Sequence, residues 1–187
     1  MIRPWKLIHS KKIADHRIFR IFSDLKISPR TGRKHDFFVL HAPDWVNVIP
    51  ITPDNQIVMV EQYRHGSNTV ELEIPGGVMD PHETDPLATG LRELREETGY
   101  EGRNAQVIGK IHSNPAILNN TTHTLLVEDC ELKHSVSLDQ GEDLITRLVS
   151  MDDIPDLIAK GQIGHSLVVV AFYHYQLWKQ GLSQNTD

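Results

Sequence analysis

Gly76-Gly77-Val78-Met79-Asp80-Pro81-His82-Glu83, followed by Arg92-Glu93-Leu94-Arg95-Glu96-Glu97-Thr98-Gly99-Tyr100, is the stretch on which the reading of this chain turns. A helix through the second half advances 3.6 residues per turn, which sets Glu93, Glu96 and Glu97 on one face with Arg92 at its edge, one turn before Glu96. Leu87, Leu91, Leu94 and Thr98 are expected on the opposite face. Asp85 reads as the N-cap and Pro86 as the first helical position. Like charges at these spacings cost a bare helix roughly a few tenths of a kcal/mol per pair, so clustering them makes sense when something cationic sits between them. Carboxylate oxygens suit a hard divalent ion, Mg²⁺ or Mn²⁺, and the stretch offers none of the thiolates that structural zinc prefers. The plain alternative is a solvated acidic helix face.

The stretch resembles the Nudix box, in which a glycine, a glutamate, Arg-Glu, an aliphatic residue, Glu-Glu and a glycine recur at fixed spacing. Gly77, Glu83, Arg92, Glu93, Leu94, Glu96, Glu97, Gly99 and Tyr100 fill those places. One departure concerns Glu83: eight residues separate it from Arg92 where the family has seven. The extra residue falls near Thr84-Asp85-Pro86 and is expected to be absorbed in the loop before the helix. The flanks, Glu61-Gln62-Tyr63-Arg64 and Glu71-Leu72-Glu73-Ile74-Pro75-Gly76-Gly77, with Pro115 beyond the box, look like the ADP-ribose pyrophosphatase branch.

The resemblance implies an α+β fold, the family's α/β/α sandwich around a mixed sheet, and metal-dependent hydrolysis of a nucleoside diphosphate linked to another group. ADP-ribose, split to AMP and ribose 5-phosphate, is the expected substrate; a nucleotide-sensing module on the same fold is the alternative. It also implies Mg²⁺ or Mn²⁺ held by Glu93, Glu97, Glu96 and the carbonyl of Gly76, with Arg92 orienting the cluster. Arg64 is assigned to a phosphate and Glu73 to a ribose hydroxyl or bound water, against the alternative of solvent-facing residues on alternating strands. Related enzymes take the base from a late loop, and Asp139-Gln140-Gly141-Glu142-Asp143 fits that place. Glu142 is the choice, ahead of Asp143, while a solvated acidic turn is the plain reading of both.

Phe37, Phe38 and Trp45 are candidates for stacking on a nucleobase, although most strand aromatics are core. His112 and His123 are candidates for the pocket lining. Eleven histidines include no His-x-x-x-His pair and no cluster with cysteine, which argues against zinc. Cys130, the one cysteine, excludes an internal disulfide and reads as a buried apolar residue.

A length of 187 residues and 39% hydrophobic content suit one domain with a small extra lobe. The net charge of −6 argues against a surface built for long nucleic acid, but not against a nucleotide held through metal. The first residues lack the apolar stretch of a signal peptide, and the longest apolar run, Leu167 to Tyr173, falls short of the roughly 18 residues a bilayer span needs. The chain therefore reads as soluble and cytoplasmic.

Residues 1–43 read as an antiparallel lobe. Its first strand lies within His16 to Ser28, Pro29-Arg30-Thr31-Gly32 makes the turn, and Asp36 to His41 pairs back. The resemblance implies a homodimer in which this lobe contributes to the partner's binding site, with Phe37 or Phe38 acting across the interface. Residues 44–187 read as the hydrolase domain, with strands at Trp45–Thr52, Ile57–Tyr63, Val70–Ile74, Val107–His112, Thr122–Val127 and Leu144–Val149. Gly76-Gly77 reads as a loop, helices begin near Met151 and Ser166, and Ser183 to Asp187 reads as a frayed tail.

Overall fold

The computed structural model describes residues 1–182, so the tail read at 183–187 lies outside the described residues. The chain divides into two compact units, one of Met1–Asp44 with His112–Thr121, the other of Trp45–Ile111 with Thr122 onward.

In the first unit β1 (Lys6–Asp15), β2 (Arg20–Ile27) and β3 (Lys34–His41) form an antiparallel sheet in that order. β2 and β3 pair from Arg20↔His41 to Ile27↔Lys34 around the expected turn. β1 corrects the expectation that the lobe's strands begin at His16. Its pairing slips between Leu7 and His9 and again between Lys12 and Ala14. Each slip moves the following side chains to the other face, so no alternation with a period of two survives along Lys6–Asp15 to be read. The segment His112–Thr121 joins this unit through main-chain bonds: Leu40 N–H donates to Ile117 C=O at 2.8 Å, and Asn119 N–H to Leu40 C=O at 3.2 Å.

The second unit runs β4 (Trp45–Pro50), β5 (Gln56–Arg64), β6 (Thr69–Glu73), β7 (Gly76–Val78), α1 (Pro86–Thr98), β8 (Tyr100–His112), β9 (Thr121–Leu132), β10 (Leu144–Ser150), a 3₁₀ turn at Met151–Asp153, α2 (Ile154–Ala159) and α3 (Ser166–Lys179). One sheet has the order β10-β5-β6, all antiparallel. The other has the order β7-β4-β9-β8 and is mixed, since β4 runs parallel to β9 and antiparallel to β7. Gly76 and Gly77, read as loop, are in fact strand: Asn47↔Gly76, Val46↔Gly77 and Trp45↔Val78 are paired. Three residues are too few to show a periodicity, and glycine disfavours strand, so nothing local marks β7.

The short apolar runs at 48–49 in β4, 57–60 in β5 and 125–127 in β9 follow from a core on each side. Val46, Val48, Val58, Leu125 and Val127 pack with Leu94 of α1, Met79 and Cys130. Their strand neighbours Ile49, Ile57, Met59 and Leu126 point the other way, into a cluster with Met151, Ile154, Val168, Ala171, Phe172 and Tyr175. Where a strand is covered on both faces consecutive residues are apolar, which is why these runs show no alternation. The result is the expected α+β sandwich, with α1 on one face and α3 on the other. Among the described residues no helix is long and apolar enough to cross a membrane.

Candidate active site

α1 starts and stops where its sequence dictates. The Asp85 carboxylate accepts the Leu87 N–H at 2.9 Å, Pro86 needs no N–H partner, and Gly99 closes the helix in the left-handed region at φ 74°. Its buried residues are Thr89, Gly90, Glu93, Leu94, Glu97 and Thr98. This corrects the expected division into acidic and apolar faces. Leu91 is 37% exposed, whereas Glu93 and Glu97 are 8% and 4% exposed and lie in the same stripe as Leu94. The apolar residues alone give a misleading stripe, because the helix buries carboxylates that an ordinary amphipathic helix would turn to water.

Burial is the main reason the two carboxylates hold their protons so tightly. It raises Glu93 to about 7 against the opposing pull of Arg92, and the charges of Glu142 and Glu96 add to the rise. Burial likewise raises Glu97 to about 8; the Gly76 N–H, which donates to Glu97 Oε2 at 3.0 Å, opposes the shift, and the charges of Glu93 and Glu142 reinforce it. The backbone of β7 presses on the same place, since a Cβ at Gly77 would lie 2.5 Å from Glu93 Oε1.

Arg92 is the cation between the carboxylates. Nε lies 3.1 Å from Glu83 Oε1, Nη2 3.0 Å from Glu93 Oε1, and Nη1 2.9 Å from Glu96 Oε2. Glu83 also accepts the Asp80 N–H at 2.8 Å. The guanidinium, followed by that N–H, holds its carboxyl at about 2. Glu83 thus reaches α1 despite the extra residue before the helix.

Glu142 lies in the loop before β10. Its N–H donates to Asp139 C=O at 3.0 Å and its carboxylate accepts the Asp139 N–H at 3.1 Å, so the turn closes on itself. Its charge is felt by Glu93, Glu97 and Arg64, which puts it in electrostatic range of the buried carboxylates of α1.

Arg64 and Glu73, assigned separately from sequence, are bound to each other. Arg64 Nε and Nη2 donate to Glu73 Oε1 and Oε2 at 2.7 and 2.9 Å. His165, which sequence reading passed over in favour of His112 and His123, places Nδ1 2.9 Å from the same Oε2. Burial would lift the Glu73 carboxyl, but the bonds from Arg64 and His165 outweigh it and hold the group at about 2. His165 stands 92 positions from Glu73, and no local pattern in the sequence links them.

Trp45 is half-buried at the start of β4, flanked by Val78 of β7 and Thr122 of β9. Phe37 belongs to the other unit, where its ring meets Trp5 edge-on at 5.3 Å and Lys26 Nζ lies 6.0 Å from its centroid. Phe38 is 61% exposed. Cys130 is buried, and desolvation pushes its thiol up to about 12.

Among the described residues no three His, Cys, Asp or Glu side chains are gathered into a preformed metal cage, and Arg92 occupies the space between Glu83, Glu93 and Glu96. The chemistry of the donors still suits a hard divalent ion. They are oxygens only, two are desolvated carboxylates that raise one another's affinity for positive charge, and the glycine backbone stands against them without a side chain.

The family model for the NUDIX domain matches residues 41–171, which contain α1, β7 and the Glu142 loop. The chain belongs to the NUDIX family. This Nudix pyrophosphohydrolase is 31% identical over 173 residues to the methanol dehydrogenase activator of Bacillus methanolicus, covering 92% of each chain. It is 27% identical over 179 residues to the ADP-ribose pyrophosphatase of Bacillus subtilis (strain 168), covering 92% of this chain and 95% of that one. The crystal structure of an ADP compounds hydrolase superposes with a TM-score of 0.84 at 20% identity over 97% of both chains, a likeness of fold.

Proposed function

We propose that the protein is a Mg²⁺-dependent pyrophosphohydrolase that splits ADP-ribose into AMP and ribose 5-phosphate. The observation that carries this reading is the pair of buried carboxylates, Glu93 and Glu97, held protonated to about 7 and 8 beside a glycine backbone and within range of a third, Glu142, from a separate loop. Nothing structural calls for two desolvated acids on one helix face, whereas a cation there would relieve both their desolvation and their repulsion. The relative named ADP-ribose pyrophosphatase, which spans nearly the same length, supports the choice of substrate.

In this reading Glu93, Glu97, Glu96 and the Gly76 carbonyl hold the ion. When bound, the ion neutralises charge on the diphosphate oxygens and orients the linkage. Arg92, already bonded to Glu83, Glu93 and Glu96, fixes the carboxylate heads. Arg64 offers its remaining nitrogen to a phosphate oxygen, and Glu73 keeps that guanidinium in place. Glu142 takes the proton from the attacking water, having the freedom of a loop outside the helix. Trp45 supplies aromatic surface for the nucleobase, and Phe37 does so for the partner's site across the homodimer. The enzyme works as a cytoplasmic homodimer.

A second reading, a nucleotide-responsive module with little turnover, is favoured by one observation: a relative spanning the same length is named for activating a dehydrogenase. The intact Glu93, Glu96 and Glu97 speak for turnover. Release of AMP from ADP-ribose, measured with Mg²⁺ and with excess chelator, tests the proposal. Turnover that needs the ion supports it; full turnover in chelator, or none with any nucleoside diphosphate compound, overturns it.

A further inference from the structure

We infer that His165 is a positioning residue for the phosphate-binding arginine, acting through Glu73. This inference rests on the role proposed above for Arg64.

Glu73 is 2% exposed, so its charge must be matched in place by hydrogen-bonded cations or donors. Arg64 matches it side-on. Nε and Nη2 take up Oε1 and Oε2, and Nη1 makes no hydrogen bond among the described residues. That leaves one nitrogen of the guanidinium for an anionic oxygen, in a fixed direction only as long as the carboxylate stays fixed. A long arginine whose side chain is 44% exposed does not supply that rigidity, and β5 and β6 tether the pair from the strand side alone.

His165 supplies the third point. It stands at the N-cap of α3, whose Leu167, Val168, Ala171 and Phe172 are buried, so its backbone is anchored in the core. Its Nδ1 lies 2.9 Å from Glu73 Oε2, the oxygen that also accepts Arg64 Nη2. An ionised carboxylate offers only lone pairs, so Nδ1 must carry the proton, which fixes the tautomer and turns Nε2 away from Glu73. The carboxylate is thereby pinned from a strand and from a helix at once, and the guanidinium is pinned with it. A merely structural histidine would need only a polar partner for its ring. Here the partner is the one carboxylate that orients Arg64.

The test compares His165→Leu, which removes the hydrogen-bond donor, with His165→Gln, which keeps one. Kinetics with ADP-ribose and Mg²⁺ are read beside the proton exchange of the Arg64 Nε–H in NMR spectra, assigned through Arg64→Lys. For His165→Leu the expected result is a KM raised about tenfold with kcat changed less than about threefold, together with faster exchange of the Arg64 proton. His165→Gln is expected to restore both. Unchanged exchange in His165→Leu overturns the inference, and so does faster exchange with an unchanged KM. If the wild type turns over no nucleoside diphosphate compound, the proposed function fails instead, and the exchange arm, which needs no substrate, decides the positioning role by itself. If His165→Leu loses its melting transition it is replaced by His165→Ala, read by the same two measurements.

Discussion

Glu97 and Glu142 carry the sharpest expectations at the scale of single residues. A folded-state value of about 8 for Glu97, raised above the ordinary 4.5, means that the folded protein favours the protonated acid. The stability this gives is present below 4.5 and is lost as pH rises through about 8, with Glu93 losing its share nearer 7. The metal-free protein should therefore melt at progressively lower temperature between pH 5 and pH 8. Glu97→Gln should remove most of that slope, raising the metal-free melting temperature at pH 8 by about 2–4 °C, for a gain of about 1 kcal/mol, while abolishing turnover. Scanning calorimetry in chelator across the pH range checks both signs. For Glu142, a true base removed as Glu142→Gln should lower kcat by roughly 10²–10⁴ with KM little changed. Steady-state kinetics beside Asp143→Asn decides between the neighbours, and a loss below about tenfold for Glu142→Gln removes it as the base.

At the scale of elements, what could be read in advance and what could not follows from the range of the signal. Asp85, Pro86 and Gly99 mark the ends of α1 through local backbone chemistry, and all three stand where the sequence puts them. The apolar residues of β4, β5 and β9 likewise announce strands, and the cores on their two faces appear only in the structure. β1 escaped because two irregular pairings break its alternation, and β7 because three residues with two glycines carry no pattern. The site divides in the same way. Glu93, Glu96, Glu97 and Arg92 sit within six positions and were legible as a group, whereas the Arg64–Glu73–His165 cluster depends on bringing the N-cap of α3 to Glu73 of β6 and was not. β7 also has a testable consequence. A methyl group at Gly77 would stand 2.5 Å from Glu93 Oε1 and 2.6 Å from its Cδ, so strand or carboxylate must move. Gly77→Ala should cost turnover about a hundredfold with a much smaller effect on melting, because a displacement of about 1 Å suffices to spoil a reacting geometry. Activity and thermal melts on the same preparation check the split.

For the molecule as a whole, the N-terminal sheet is the part that does not account for itself. Leu7, Ile8, Ile13, Ile18, Phe37 and Phe38 are all exposed, more apolar surface than three strands of a free lobe would be expected to present to water. A second copy covering them explains the excess, and a self-complementary pairing is the commonest form such an assembly takes. Sedimentation velocity at micromolar concentration should give a dimer, and Phe38→Asp, which puts a charge on an exposed apolar position, should shift it toward monomer. A monomeric wild type would remove the assembly and any role for Phe37 across it.

Cys130 gives the experimenter a clock. It is the chain's one cysteine, it is packed with Val46, Val48 and Leu94 beneath α1, and with its thiol up at about 12 almost none is thiolate at neutral pH. A thiol reagent can reach it only when that layer opens, so the labelling rate of the native protein counts openings of the very core that supports the acidic helix. Ligands that brace the helix should slow the count, and those that bind elsewhere should leave it unchanged, which turns an inert side chain into a gauge of occupancy that needs no turnover at all.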